Sequence, residues 1–395
     1  MSETAAIQHV SARVNYGLIN FILFWCALIV VSSAYVTTPL FSVFESTFDV
    51  SKTMSAWTSS SFSFFYAVGF LLFGPLADRI GRKQIIVFGM ISLTIVTPLI
   101  AMTNSFGALI ALRGIQGFVA STFAPSALAY AFDIIPSKKI VTTIGFISFG
   151  YVTSGIFGQV LADVIYQWGS WNLVFIAFGV LYFLTLLAVF FLLPTPDKAG
   201  HKEGISFYVY HSKLIFKQRN FILIYTITIM LLLTFMGMYT LLGSYLSNEP
   251  YGLSEKEILG VRAIGIVGML ISPFVGRIVG KIGVFITLRL GLLLAALGLF
   301  LLGVGDSIVF LVMMSIIYVF GISLIFPSIM VLIGELGGER RALANAFYAF
   351  ILFIGAMLGP IVAIELLQLF TYFTTFIILA FLLVIGLILS IFVKK

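Results

Sequence analysis

The charged residues of this chain are spaced so far apart that the spacing fixes its solvent. Between successive Asp, Glu, Lys and Arg lie twelve uncharged stretches of 14 residues or more, at 14–44, 53–77, 84–112, 114–132, 140–162, 164–196, 220–248, 263–276, 290–305, 307–334, 342–364 and 366–393. A helix needs roughly 20 apolar residues to cross a hydrocarbon core, and most of these stretches match or exceed that. The two short ones, 263–276 and 290–305, reach it by borrowing neighbours such as Arg262 and Arg289. Composition agrees: 61% of the 395 residues are hydrophobic and 9% charged, against roughly 25% charged in a soluble domain. Lipid offers no partner to an unpaired backbone group. The expected fold is therefore all-α and integral to a membrane, with twelve transmembrane helices.

Orientation follows from the cations. With the N-terminus cytoplasmic, 18 of the 22 Lys and Arg fall in inside segments. They are Arg13, then Arg79, Arg82 and Lys83, then Lys138 and Lys139, then Lys198, Lys202, Lys213, Lys217 and Arg219, then Arg277, Lys281 and Arg289, then Arg340 and Arg341, and finally Lys394 and Lys395. Only Lys52 and Lys256 fall in outside loops, and Arg113 and Arg262 are left at membrane depth. The positive-inside rule thus predicts a multi-pass protein of the cell membrane with both termini cytoplasmic. The net charge of +7 reads as topology signals beside an anionic leaflet, and no nucleic-acid partner is expected.

Other classes are disfavoured. The single cysteine, Cys26, lies inside the first apolar run, so neither an intramolecular disulfide nor a cysteine metal cluster is expected. His9, His201 and His211 fall in cytoplasmic segments, away from any central histidine relay or metal site. The first 17 residues are polar and lack a cleavage-site pattern, so the first hydrophobic run is read as a retained helix. No nucleotide-binding loop is present, and the expectation is of no enzyme activity and no cofactor.

The chain is internally duplicated. Its longest charged interruption separates six runs from six, giving expected units at 1–193 and 220–395 joined by a central loop at 194–219. Asn20-Phe21-Ile22-Leu23 matches Asn220-Phe221-Ile222-Leu223 at an offset of 200, and the correspondence continues at 202. Gly74, Leu76, Arg79, Ile80 and Gly81 match Gly276, Ile278, Lys281, Ile282 and Gly283. Asn104-Ser105 matches Asp306-Ser307, Pro125-Ser126 matches Pro327-Ser328, Lys138-Lys139 matches Arg340-Arg341, and Asp163 matches Glu365. Parallel repeats of this kind are a transporter plan, with the solute site between the halves near the midplane.

Between the second and third runs stands Gly74-Pro75-Leu76-Ala77-Asp78-Arg79-Ile80-Gly81-Arg82-Lys83. Glycines suit a tight turn, and the carboxylate and guanidinium can lock neighbouring helix ends. This segment resembles the loop signature of the major facilitator superfamily at every defined position, a resemblance that extends over the whole chain and implies two pseudo-symmetric six-helix bundles. By that resemblance Asp78 engages the start of the eleventh helix, Arg82 pairs with Asp133 at the end of the fourth, and the set Gly74, Asp78, Arg79, Gly81, Arg82, Lys83 and Asp133 closes the cytoplasmic side. The second half has Gly280 where Asp78 stands, so the latch should be asymmetric.

Leu112-Arg113-Gly114-Ile115-Gln116-Gly117 is similar to the family's second motif. Two readings stand for Arg113: it reaches headgroups near the outer end of its helix, or it faces the bundle interior, binding an anionic group or helping a proton site. The fifth run, Gly150-Tyr151-Val152-Thr153-Ser154-Gly155-Ile156-Phe157-Gly158-Gln159, keeps the small-residue spacing of proton-antiporter exporters without their proline, while Gly355 and Gly359-Pro360 stand in the eleventh. Small residues at four-residue spacing also serve plain helix packing. Trp168 and the stretch Trp171 to Phe175 resemble the exporter pattern that follows helix five.

The resemblance implies a secondary transporter working by alternating access, with protons, a small-molecule substrate and the lipid bilayer as partners, acting as a functional monomer. Its cavity would be lined by helices one, four, seven and ten, which nominates Tyr35, Arg113, Gln116, Thr234, Met238, Tyr239 and Tyr318, with Arg262 as a second membrane-depth cation. Asp163 and Glu365, with Arg113, are the candidates for proton coupling. Three functions remain open: proton-coupled efflux of small organic molecules; export of one anionic or zwitterionic metabolite such as a carboxylate-rich metallophore, which the two arginines favour; and a non-transporting receptor or lipid-handling protein on the same scaffold.

Overall fold

Each apolar run becomes a helix, and hydroxyl side chains start several of them. The computed structural model describes residues 15–195, 212–305, 307–338 and 341–394. Nine spans are single helices: the second Lys52–Ile80, third Arg82–Ala101, fifth Ser137–Trp168, sixth Trp171–Leu192, seventh Arg219–Ser247, ninth Val284–Val304, tenth Ile308–Gly337, eleventh Arg341–Leu369 and twelfth Tyr372–Phe392. The fourth, Phe106–Ala120 and Phe123–Ile134, turns at Ser121. These ten crossings are long and apolar enough to span a membrane. Ser51, Ser105, Ser307 and Thr371 accept hydrogen bonds from backbone N–H groups of the first turns they precede, as N-caps do.

The remaining two spans are broken, where continuous helices were expected. The first runs Tyr16–Ser32, then a short 3-10 turn Thr38–Leu40, then Phe41–Phe48. Pro39 explains the break: it has no N–H, and its ring collides with the carbonyl four residues earlier, while Val36, Thr37 and Thr38 are β-branched. The eighth runs Glu255–Ile264, Ile266–Met269, Ser272–Phe274 and Val275–Ile282, interrupted around Gly265 and Pro273. Together these segments make the twelve-helix bundle expected from charge spacing.

The duplication is visible in backbone geometry. Gly81 and Gly283, equivalent in the repeat, both adopt positive φ, 118° and 85°, and each joins one span to the next. Only glycine enters that region without strain. Ser105 and Ser307, also equivalent, cap the fourth and tenth spans. Packing follows the same rule: the first span packs on the fifth as the seventh does on the eleventh, and the third on the sixth as the ninth on the twelfth. Gly150 and Gly158 bring the fifth span against the carbonyls of Phe24 and Ser32, and Gly355 and Gly359 bring the eleventh against those of Ile229 and Leu233. The small-residue spacing is thus used for close helix approach.

Among the described residues the second span packs on the eleventh and the fifth on the eighth, joints that the repeat interconverts, and the Thr38–Leu40 turn of the first span also meets the seventh. The joint between second and eleventh runs from the Thr53–Glu365 hydrogen bond to the stack of Phe70 on Phe353. That is 17 residues of helix, or roughly 25 Å. We call the end of the bundle that carries Tyr16 and Phe392 the termini end, and the other the far end. His9, His201, His211, Arg13, Lys198, Lys202, Asp306, Arg340 and Lys395 lie outside the described residues, as do the side chains of Asp78, Lys138 and Arg341.

Candidate functional site

Between the two sets of six spans the helices leave a cavity of about 380 Å³, within the roughly 300–1,000 Å³ typical of small-molecule sites. The first half supplies Val31, Tyr35, Tyr66, Phe70, Gly74, Leu128, Phe132 and Tyr151 to its wall, and the second half Leu232, Phe326, Met330, Asn345, Tyr348, Leu352 and Phe353. Among the residues whose side chains are described no Asp or Glu lines it, and Arg82 is its charged wall residue. The cavity reaches from Tyr35, near mid-depth, to Arg82, Phe132 and Leu343 at the termini end.

Aromatic rings make the wall continuous across the halves. Tyr66 lies 4.2 Å from Phe353 between ring centroids, Phe326 meets Tyr348 edge-on at 6.3 Å, and Tyr35 meets Phe235 edge-on at 6.0 Å. Tyr66 Oη, Tyr348 Oη and Asn345 Oδ1 are buried without a hydrogen-bond partner among the described residues. Each such atom raises the energy by roughly 1–3 kcal/mol while unpartnered.

The far end is bridged by hydrogen bonds between the halves. Lys52 Nζ donates to Ser244 Oγ at 2.8 Å, and Ser244 contacts Tyr372 Oη at 2.9 Å. Thr53 Oγ1 donates to Glu365 Oε1 at 2.8 Å and accepts from Gln368 Nε2 at 3.1 Å. Deeper, Ser60 Oγ donates to the Met357 carbonyl at 2.6 Å.

Behind the cavity wall sits a buried cation. Arg113 is fully buried. Its Nε donates to the Thr58 carbonyl at 2.9 Å, Nη1 to Gln116 Oε1 at 2.5 Å and Nη2 to the Ser33 carbonyl at 2.8 Å. Gln116 Nε2 in turn donates to Thr97 Oγ1 at 2.8 Å. The guanidinium lies 4.6 Å from the Phe62 ring centroid, a favourable cation–π distance.

The sequence profile of the Major Facilitator Superfamily matches residues 23–341 and again 288–395. The chain belongs to the major facilitator superfamily. A transporter of Buchnera aphidicola from Schizaphis graminum is 25% identical over 68% of this chain and 65% of its own length. The MFS-type transporter YybF of Bacillus subtilis is 26% identical over 63% of this chain and 62% of its own. A bicyclomycin resistance protein homolog of Haemophilus influenzae is 26% identical over 64% of each chain. The chain therefore spans just under two thirds of the length of these relatives. Membership and the ten candidate spans indicate a multi-pass membrane protein, and the family is generally non-enzymatic.

Within this superfamily member the loop residues take distinct places. Arg82 Nη1 lies 2.5 Å from Asp133 Oδ1 and donates to the Ala129 carbonyl at 2.6 Å, so this ion pair braces the start of the third span on the end of the fourth, both in the first half. Lys83 Nζ donates to the carbonyls of Phe190 and Leu193 at 3.0 and 2.6 Å. Gly74 lines the cavity, Gly81 makes the turn, and Arg79 is exposed in the last turn of the second span.

Of the proposed solute-binding residues only Tyr35 is on the cavity wall. Arg113 and Gln116 hold each other behind it. Tyr318 Oη donates to Thr234 Oγ1 at 3.2 Å, and Met238 and Tyr239 are buried in the seventh span. Arg262 is 7% exposed, with its Nη2 beside Gly243. Asp163 is buried on the fifth span at 4% exposure, whereas Glu365 is exposed at the far end. Among the wall residues not anticipated, Tyr66 and Phe70 come from the second span and Asn345, Tyr348, Leu352 and Phe353 from the eleventh. Steps of three and four, from 66 to 70 and from 345 to 348 to 352, mark one face of each helix.

Proposed function

We propose that this chain is a secondary transporter that exports small, apolar, aromatic-rich molecules in exchange for protons. The observation that carries the reading is the cavity between the halves, walled by aromatic rings and free of Asp and Glu among the residues whose side chains are described. Among the side chains described, none on that wall offers a lipophilic cation a counter-charge, and the Arg113 guanidinium that favoured an anionic solute is spent on Ser33, Thr58 and Gln116. With the basic termini end toward the cytoplasm of a cell membrane, the cavity loads from inside while hydrogen bonds hold the far end shut. The relatives named for multidrug resistance in Proteus mirabilis and bicyclomycin resistance in Haemophilus influenzae support efflux of small molecules. Asp163, buried on the fifth span, is the proton site of this reading, and the units 1–193 and 220–395 rock as bodies of a functional monomer.

Inside-out membrane vesicles with an imposed pH gradient test it. Three probes of similar size but different charge are compared: neutral chloramphenicol, cationic ethidium and anionic fluorescein. Accumulation of chloramphenicol that collapses when nigericin removes the gradient is the expected result. Preference for fluorescein would favour the anionic-metabolite exporter, and binding without flux of any probe would favour a non-transporting role. Asp163→Asn should flatten the pH dependence of transport; an unchanged profile in both Asp163→Asn and Glu365→Gln sinks the proton assignment.

A further inference from the structure

The break in the first span exposes backbone groups that a continuous helix would use itself. After Ser32 the chain turns tightly, with Ala34 N bonded to the Val31 carbonyl and Tyr35 N to that of Ser32. The carbonyls of Ser33 and Ala34 face other helices. Arg113 Nη2 takes the first at 2.8 Å and Ser59 Oγ takes the second at 3.2 Å. Gln116 and the Phe62 ring fix the plane of the guanidinium. One residue beyond these two carbonyls, Tyr35 enters the cavity wall.

The second half supplies an internal control. Its seventh span is continuous from Arg219 to Ser247, with no freed carbonyls of this kind. At the repeat positions of Arg113 and Gln116 stand Ser315 and Tyr318. Ser315 Oγ bonds within its own helix, to the Val312 carbonyl, and Tyr318 reaches only the hydroxyl of Thr234. The arginine occurs in the half whose helix is broken and is replaced in the half whose helix is whole.

We infer that Arg113 is a positioning residue: it holds the broken first span through the Ser33 carbonyl and thereby sets where Tyr35 stands in the cavity wall, without itself meeting solute or carrying the proton. A planar fork matches three acceptors at fixed angles, and a lysine ammonium does not. The transport readout of this inference rests on the export reading above; the labelling readout does not.

The test uses the full chain in membranes. A thiol is placed at the wall by Tyr35→Cys in a Cys26→Ala background, and its reaction rate with N-ethylmaleimide is measured with and without Arg113→Lys. Tyr348→Cys on the opposite wall is the control. The expected result is a several-fold change in rate at position 35 with the rate at 348 unchanged. Ser59→Ala, a change too small to prevent folding, moves the rate at 35 in the same direction. In transport, Arg113→Lys raises KM for chloramphenicol with kcat and the pH profile preserved, the pattern of a disturbed binding wall. An unchanged rate at position 35 in both variants overturns the inference, as does a shifted pH profile at unchanged KM. If no flux is found at all, the export reading fails while the labelling result still decides the role of Arg113.

Discussion

The first and seventh spans carry the same four residues near their starts, Asn-Phe-Ile-Leu at 20–23 and 220–223, yet one breaks at mid-depth and the other runs unbroken for 29 residues. The broken one is met by a buried guanidinium on the fourth span; the straight one by a tyrosine on the tenth. A duplicated unit can thus keep its packing plan and still diverge in polarity, because a helix break changes how many backbone acceptors must be satisfied in lipid. Proline at position 39 and arginine at position 113 belong to one solution, though 74 residues separate them.

Four substitutions break or sharpen this contrast. The largest effect is expected from Ser315→Arg, which sets a guanidinium against a continuous helix with no free carbonyls. The penalty is about 3 kcal/mol or more, read as loss of insertion or of a monodisperse, folded peak in detergent. Arg113→Met leaves the Ser33 and Thr58 carbonyls and Gln116 without their donor and should lower stability by about 2–3 kcal/mol, the relief of no longer burying a charge offsetting part of the loss. A thermal melt of the purified protein measures it, and an unchanged midpoint would mean that the break holds itself. Gln116→Leu removes one of the three acceptors of Arg113 and the partner of Thr97, for about 1–2 kcal/mol. Tyr318→Phe removes a single neutral bond to Thr234, and such bonds between membrane helices average about 0.6 kcal/mol. If Tyr318→Phe matched Arg113→Met in the same melt, the two halves would not differ in the way their geometry implies.

The twelve crossings were legible in the spacing of charges, because no other feature survives the move from water to lipid so plainly. The repeat was legible too, down to Gly81 and Gly283, since a turn that needs positive φ keeps its glycine. The interruptions were hidden: Pro39 and Pro273 break their helices, while Pro75, Pro98, Pro327 and Pro360 are accommodated inside theirs. Which outcome occurs depends on whether neighbours satisfy the freed carbonyls, and that is a property of packing. Among the cavity residues Tyr35 was reached, but the wall from the second and eleventh spans was not. A helix with lipid on one side and a cavity on the other is apolar all round; Phe64 and Phe65 point outward while Phe62 and Tyr66 point inward, and hydropathy alone does not separate them. Arg113 is a cation at membrane depth in the sequence, but the Ser33 carbonyl among the acceptors that hold it is freed by a break in the first span that charge spacing does not show.

The bridges at the far end impose an order on their own undoing. Thr53, Glu365 and Gln368 meet water, so each can trade its partner for solvent at little loss. Ser60 is fully buried, and its bond to the Met357 carbonyl has nothing to trade with until the helices have already parted. The seam should therefore unzip from the rim inward, its outer teeth loosening often and fruitlessly, and the pace of a complete opening should be governed by its buried contacts.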